Sequence, residues 1–305
     1  MQKKSDTEIL WQCGDFRVGV LPRGGAITRL DWNRPDGQGY VPLLRPADKK
    51  AILSCNPSAL GCFPLVPFAN RLAHSQFEFD GRTVTVPANR APDPHAIHGF
   101  GLYADWQVMK RDATRLRLEH RYDESPNGFD YVAWQEITPE GDGLRIEIGV
   151  SHLAARPMPY GIGLHPWFYA TEDAEICFSA LGSFRNDDGK LPVAPVVIDL
   201  GRDFSDPKLA RRQRGLDAHY HGWTGIAEII WPENGVRLVI GADETLRNLQ
   251  VYLPPSGDAI CLEPVSHVPN VQNRVDFKDY GDVRVLQQGD SLSGAMTLRP
   301  SLVAV

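Results

Sequence analysis

The sequence predicts an all-β chain folded as one large antiparallel β-sandwich over residues 1–305, and three observations carry that expectation. Apolar runs of strand length recur along the chain, turn residues separate them, and long helical periodicities are nearly absent. The 28 glycines and 24 prolines do the punctuating. Between them lie Phe16–Leu21, Ala26–Trp32, Thr83–Pro87, Arg115–His120, Leu144–His152, Val193–Asp199, Gly225–Trp231, Val236–Ile240, Asn248–Leu253 and Ala259–Glu263. Arg115-Leu-Arg-Leu-Glu-His and Leu144-Arg-Ile-Glu-Ile-Gly-Val alternate with period two, as half-buried antiparallel strands do. The best helical candidate, Asp206–Arg214, is short. No linker, repeat or low-complexity tract divides the chain, and all-β units of this length occur undivided.

Composition supports a packed core and narrows the partners. Hydrophobic residues make up 42% and charged residues 23%, which disfavours disorder and coiled coil. The formal charge is −6, with no clustered basic surface of the kind a phosphate backbone requires, so no nucleic acid partner is expected. The mild negative balance suits a neutral ligand, although one local basic pocket would override it. Lys3 and Lys4 are followed by Ser5, Asp6, Thr7 and Glu8 where the apolar core of a leader would begin. No run approaches the roughly 18 apolar residues that cross a bilayer, so no membrane partner and a cytoplasmic location are expected. Five irregularly spaced cysteines (Cys13, Cys55, Cys62, Cys177, Cys261) suggest buried thiols rather than a disulfide framework or a zinc site.

Two segments share one arrangement. In Pro159-Tyr-Gly-Ile-Gly-Leu-His165, a strand turns Tyr160, Ile162 and Leu164 to one face, and Gly161, Gly163 and His165 to the other. Interior glycines mark close approach by a ligand or another backbone. Pro166 ends the ladder and Trp167 offers a plane on which a sugar could stack. In Asp258-Ala-Ile-Cys-Leu-Glu-Pro264, Ala259, Cys261 and Glu263 share a face of small residues that ends in a carboxylate. Burial raises a carboxyl pKa toward the range where a general base works. A core histidine and a salt-bridged glutamate are the plainer alternatives. Arg71, after an apolar stretch, could be a fork for hydroxyls; His98 precedes a flexible turn; Asp217 could bind a diol or cap a turn.

In chain order these pieces resemble the aldose 1-epimerase (galactose mutarotase) family. Gly24-Gly-Ala-Ile-Thr, Phe68-Ala-Asn-Arg-Leu, His98-Gly-Phe-Gly, His165-Pro-Trp-Phe, Asp217-Ala-His-Tyr, Leu249-Gln-Val-Tyr and Cys261-Leu-Glu-Pro, ending in Asn270, carry the resemblance from about residue 8 to about residue 300. It implies a sandwich with a sugar on a concave sheet face, His165 as catalytic acid and Glu263 as catalytic base. Asn70, Arg71, His98, Trp167, Asp217 and Gln250 would bind the sugar. No metal or cofactor is implied, because the chemistry is ring opening and reclosure by proton transfer. Leu164 stands where the family usually has Asn, Tyr169-Ala170 where it has Asn-Leu, and His98 precedes Gly-Phe rather than two glycines. These departures point toward a poorly characterised bacterial branch and leave the aldose open.

Other readings follow from the same residues. A hexose-6-phosphate mutarotase would need a cationic pocket, for which Arg211-Arg-Gln-Arg214 is the nearest cluster. A non-catalytic carbohydrate-binding domain could use the same scaffold. His219 and His221 would share a strand face and could hold a metal. Asp217 and Glu263 could serve a glycoside hydrolase. The leading reading expects His165 and Glu263 at opposite ends of one sugar-sized hollow.

Overall fold

A computed structural model of the protein describes residues 7–123 and 127–303; Lys3, Lys4, Ser5 and Asp6, read above against a leader, lie outside the described residues. Alternating burial assembles the chain into two large antiparallel sheets. In neighbour order, the first runs Ile9–Cys13, Phe16–Leu21, Ala26–Asn33, Cys62–Leu65, Gly163–Pro166, Ala259–Val265, Asn248–Tyr252, Asp217–His221, Gly182–Asn186, Pro192–Val196. The second runs Gln107–Arg111, Leu116–Tyr122, Tyr131–Glu140, Gly143–His152, Ser291–Leu302, Val236–Ala242, Ile226–Trp231, Glu175–Phe178, Lys208–Leu209. Apolar side chains from both, among them Val18, Ile27, Leu164 and Leu262 of the first and Leu116, Ile146, Leu238 and Leu298 of the second, form one continuous core. This is the sandwich that the sequence predicts. Each such buried aliphatic side chain contributes roughly 1.5–3 kcal/mol.

All ten predicted runs fall on strands, but two of the three longest strands do not show in the run pattern. Tyr131–Glu140 contains Pro139 and Ser291–Leu302 contains Gly294 and Pro300, residues that read as breakers. The structure shows why they are tolerated. Pro139 pairs with Leu144 on one side but lies past Ile137, where the Leu116–Tyr122 strand has ended on the other. Pro300 pairs with Leu238 but lies past Leu298, where pairing with Gly143–His152 stops. Each proline therefore sits where one neighbour no longer asks for an N–H.

The Asp206–Arg214 helix does not form. Lys208–Leu209 joins the edge of the second sheet, and Ala210–Gln213 makes a single 3-10 turn. The α-helix among the described residues is instead Lys49–Ser54, too short for a sequence periodicity. Asp48 caps it by accepting from the Ala51 N–H at 2.6 Å. No helix of the described residues is long and apolar enough to cross a membrane.

The first sheet has a second face, turned away from the shared core. Phe63, Leu65, Trp167, Cys261 and Val265 form a smaller apolar cluster there. None of the five cysteines is in a disulfide, and burial pushes Cys62 and Cys261 well up.

Candidate functional site

Strand register builds the centre of the site. Gly163 pairs with Val265, so two residues further along both strands His165 comes opposite Glu263. His165 also pairs with Phe63, Glu263 with Gln250, and Gln250 with His219. One row across five strands thus carries Phe63, His165, Glu263, Gln250 and His219. Alternation turns this row away from the core that holds Leu164, Leu262, Val251 and Tyr220. A cavity of about 190 Å³ lies over it. All eight side chains expected at the site line that cavity: Asn70, Arg71, His98, His165, Trp167, Asp217, Gln250 and Glu263.

His165 Nε2 stands 3.4 Å from Glu263 Oε1, with the two residues 6% and 2% exposed. The groups are neighbours rather than opposite walls of a hollow, which corrects the expected spacing; cross-strand pairing in one row leaves no other arrangement. Burial dominates their electrostatics. It raises the Glu263 carboxyl well above the usual range, with the charge of Asp217 adding to the effect. It also lowers the His165 imidazole to about 3, with Arg45 and Arg90 pushing the same way. Both shifts favour the uncharged form, so in the free protein the pair holds one proton between two neutral groups.

Trp167 backs this pair. Its ring lies parallel to the His165 imidazole (2°, centroids 5.3 Å apart), and the Arg45 guanidinium stands 4.4 Å from its centroid. Protein neighbours therefore cover the plane that the sequence suggests for a sugar. Tyr252 and Phe63 also line the cavity.

The Phe68–Leu72 segment reaches the site through an unusual set of acceptors. Asn70 and His98 both adopt positive φ (60° and 61°) and are tied to each other. The His98 N–H donates to the Asn70 carbonyl at 3.0 Å, and the Asn70 N–H donates to His98 Nδ1 at 3.1 Å. His98 therefore carries its proton on Nε2. Burial, then the charges of His165, Arg71 and Arg90, keep its pKa far down, so the ring is neutral. The Ala69 N–H donates to His267 Nε2 at 3.0 Å, and the His74 N–H to His95 Nδ1 at 3.0 Å. Asn270 Oδ1 accepts from the Ala73 N–H at 3.0 Å. Arg71 Nε donates to Asp93 Oδ2 at 3.1 Å, and its terminal nitrogens donate to no other described residue. The fork is held while its tips stay available.

On the other side of Glu263, Gln250 Nε2 donates to Asp217 Oδ1 at 2.8 Å, and Lys190 Nζ donates to Asp217 Oδ2 at 3.0 Å. Behind Gln250, His219 meets Asn248 Oδ1 at 3.0 Å and Gln250 Oε1 at 3.3 Å. Burial holds this imidazole at about 3. It is a prop for two amides, and no three His, Cys, Asp or Glu side chains gather as a metal site among the described residues. Period two from Asp217 would have placed His219 on this face. His267, Lys190 and Arg90 carry no such local signal.

Two alternatives left open by the sequence are decided here. Gly161 and Gly163 do not clear space for a ligand. A Cβ on Gly161 would meet the His267 ring at 2.0 Å, and one on Gly163 would meet Val265 Cγ1 at 2.7 Å. The strand also breaks after Tyr160 and resumes at Gly163, because the Gly161 N–H donates to the Pro67 carbonyl and the Ile162 N–H to Ser266 Oγ. Gly161→Ala should thus lower stability by about 2–4 kcal/mol: overpacking shifts the imidazole and leaves the buried Ala69 N–H without an acceptor. Urea unfolding measures this, and an unchanged midpoint would contradict it. The cluster Arg211–Arg214 also lies elsewhere. Arg211 and Arg214 pair with Glu172 and Asp173 beside a separate small cavity formed by Leu253, Pro254 and Gly257.

Comparison with known proteins agrees with this architecture. The family profile described as Aldose 1-epimerase matches residues 8–299. The protein YphB of Escherichia coli (strain K12), itself uncharacterised, is 28% identical over 297 residues, covering 94% of this chain and 96% of its own. A maltose epimerase of Levilactobacillus brevis is 25% identical over 271 residues, covering 81% and 72%. A crystal structure of a provisional aldose 1-epimerase from Escherichia coli K12 superimposes with a TM-score of 0.85 at 27% identity, covering 97% of this chain and 99% of that one.

Proposed function

The chain belongs to the aldose 1-epimerase family, and from that premise we propose that it interconverts the α and β anomers of an aldose, with Glu263 and His165 moving the protons. The observation that carries this reading is the buried 3.4 Å contact between the two groups at the floor of a cavity with hydroxyl-binding side chains. In a cyclic aldose the C1 hydroxyl oxygen and the ring oxygen are bonded to the same carbon. A base for the first and an acid for the second must therefore be adjacent, as they are here.

Glu263 takes the proton of the C1 hydroxyl, the C1–O double bond forms as the bond from C1 to the ring oxygen breaks, and His165 delivers a proton to the ring oxygen. Rotation about C1–C2 presents the other carbonyl face, and the reverse transfers close the ring. The cycle needs Glu263 ionised and His165 protonated. That state differs from the neutral pair only by a proton shift across their contact, so the net charge of the buried pair stays constant. Arg71, His98, Asp217 and Gln250 hold hydroxyls and orient C1 over the pair. Asn70, whose backbone is locked to His98, presents its side chain beside them, and Trp167 keeps the imidazole in plane. The cavity is smaller than the roughly 300–1,000 Å³ of drug-sized sites, which suits a monosaccharide.

Anomer exchange followed by polarimetry or saturation-transfer NMR over a panel of aldoses tests the reading. Acceleration of at least one aldose is expected, and sugar binding without acceleration of any would overturn it in favour of a carbohydrate-binding domain.

The pH profile has a definite sign. The active pair carries one proton. It gains a second only when the depressed imidazole titrates, at about 3, and loses its only proton above the usual carboxyl range. The acid limb of kcat/KM should lie below pH 4, with full activity at pH 5. An acid limb near the ordinary imidazole value of about 6.5 would contradict the coupled pair.

A further inference from the structure

The cavity mouth carries one positive charge that the protein does not answer. Three cations line it: Arg71, Arg90 and Lys190. Asp93 answers Arg71 and Asp217 answers Lys190. The remaining acid, Glu263, is buried and held toward its uncharged form. Arg90 is exposed, and although its carbonyl accepts from the Asp93 N–H at 2.8 Å, its guanidinium makes no hydrogen bond or ion pair with any described residue. Its charge nevertheless reaches the site, since it bears on His98, His165 and Tyr252, three residues of the cavity wall. Arg45, the next cation, is already engaged by Asp258 and the Ser58 carbonyl. A chain with a formal charge of −6 thus places an unmatched guanidinium over the cavity.

We propose that Arg90 recognises an anionic group, a carboxylate or a phosphate, on a carbon of the sugar other than C1, so that the preferred substrates are acidic aldoses. The inference rests on the anomer-exchange reading above and deepens it. A guanidinium matches the two-oxygen edge of either anion with paired N–H donors, a geometry that a neutral hydroxyl cannot fill. Arg71, with its Nε occupied by Asp93 and its terminal nitrogens available, stands on the same rim as a second donor. Asp217 does not oppose the anion, because Lys190 and Gln250 already engage its two oxygens. The exposed position of Arg90 makes the attraction sensitive to salt.

Anomer exchange of D-glucose, D-glucuronate and D-glucose 6-phosphate by the full chain tests this, with Arg90→Gln and Arg90→Lys alongside. At low ionic strength the wild type should turn over at least one of the two acids with kcat/KM about 10–100-fold above glucose, mainly through KM, and whichever acid shows the gain identifies carboxylate or phosphate. Arg90→Gln should reduce the acid-to-glucose ratio at least tenfold, Arg90→Lys should restore part of it, and 0.5 M salt should shrink it in the wild type. A wild-type ratio at or below one for both acids, or a ratio unmoved in Arg90→Gln, overturns the proposal while glucose exchange upholds the underlying activity. Exchange of none of the three, together with no aldose in the wider panel, overturns both.

Discussion

Glu263→Gln should lower kcat for anomer exchange by about 10²–10⁴-fold while leaving KM within a few-fold. The amide keeps the volume and both heavy-atom positions of the carboxyl but cannot take the C1 hydroxyl proton. Removing the one acid of this buried row should leave thermal stability equal or slightly raised, because burial already disfavours the ionised carboxylate. Stopped polarimetry on the purified variant, with a melting curve beside it, checks both halves. Wild-type turnover in Glu263→Gln would remove the base assignment.

His165→Asn should lose turnover by a similar 10²–10⁴-fold. The imidazole lies between Phe63 (centroids 4.5 Å apart) and Trp167, so the smaller side chain also leaves a void and some stability is lost with it. Kinetics must therefore be measured well below the melting transition. The diagnostic is the double variant. Two groups that pass one proton between them act as a unit, so Glu263→Gln with His165→Asn should be little worse than either change alone. Multiplicative losses would mean that the residues act independently.

Much of this site was legible in the chain because strands impose a two-residue repeat. His165 and Glu263 each follow a run of alternating apolar residues, and Asp217 and Gln250 sit in short strand-like segments, so their faces could be read locally. What the repeat does not encode is which strands become neighbours. The separation of His165 from Glu263 depends on Gly163–Pro166 lying beside Ala259–Val265, a pairing set by the whole core. The glycines near His165 misled for the same reason: the space they clear is filled by His267 and Val265, more than 100 positions away in the chain. The side chains of His267, His95 and Asn270 hold a loop by accepting its backbone N–H groups, and a side chain that serves a distant backbone donor leaves no trace in composition. Tyr131–Glu140 and Ser291–Leu302 were obscured by Pro139 and Pro300, whose tolerance depends on where adjacent strands stop.

The single row from Phe63 to His219 separates two kinds of evolutionary freedom. His165 and Glu263, the side chains proposed to move protons, stand on interior strands whose spacing the hydrogen-bond ladder dictates, so an insertion there would shift every neighbour at once. Arg90 and Lys190 instead arrive from turns at the rim, and Arg71 from a two-residue strand outside both large sheets, so these segments can change without disturbing that ladder. A descendant of this scaffold could thus acquire a new ligand by rewriting its rim while inheriting the His165–Glu263 pair intact. Transplanting the Asn89–Asp93 and Asp187–Leu191 turns between relatives would be the economical way to move substrate preference.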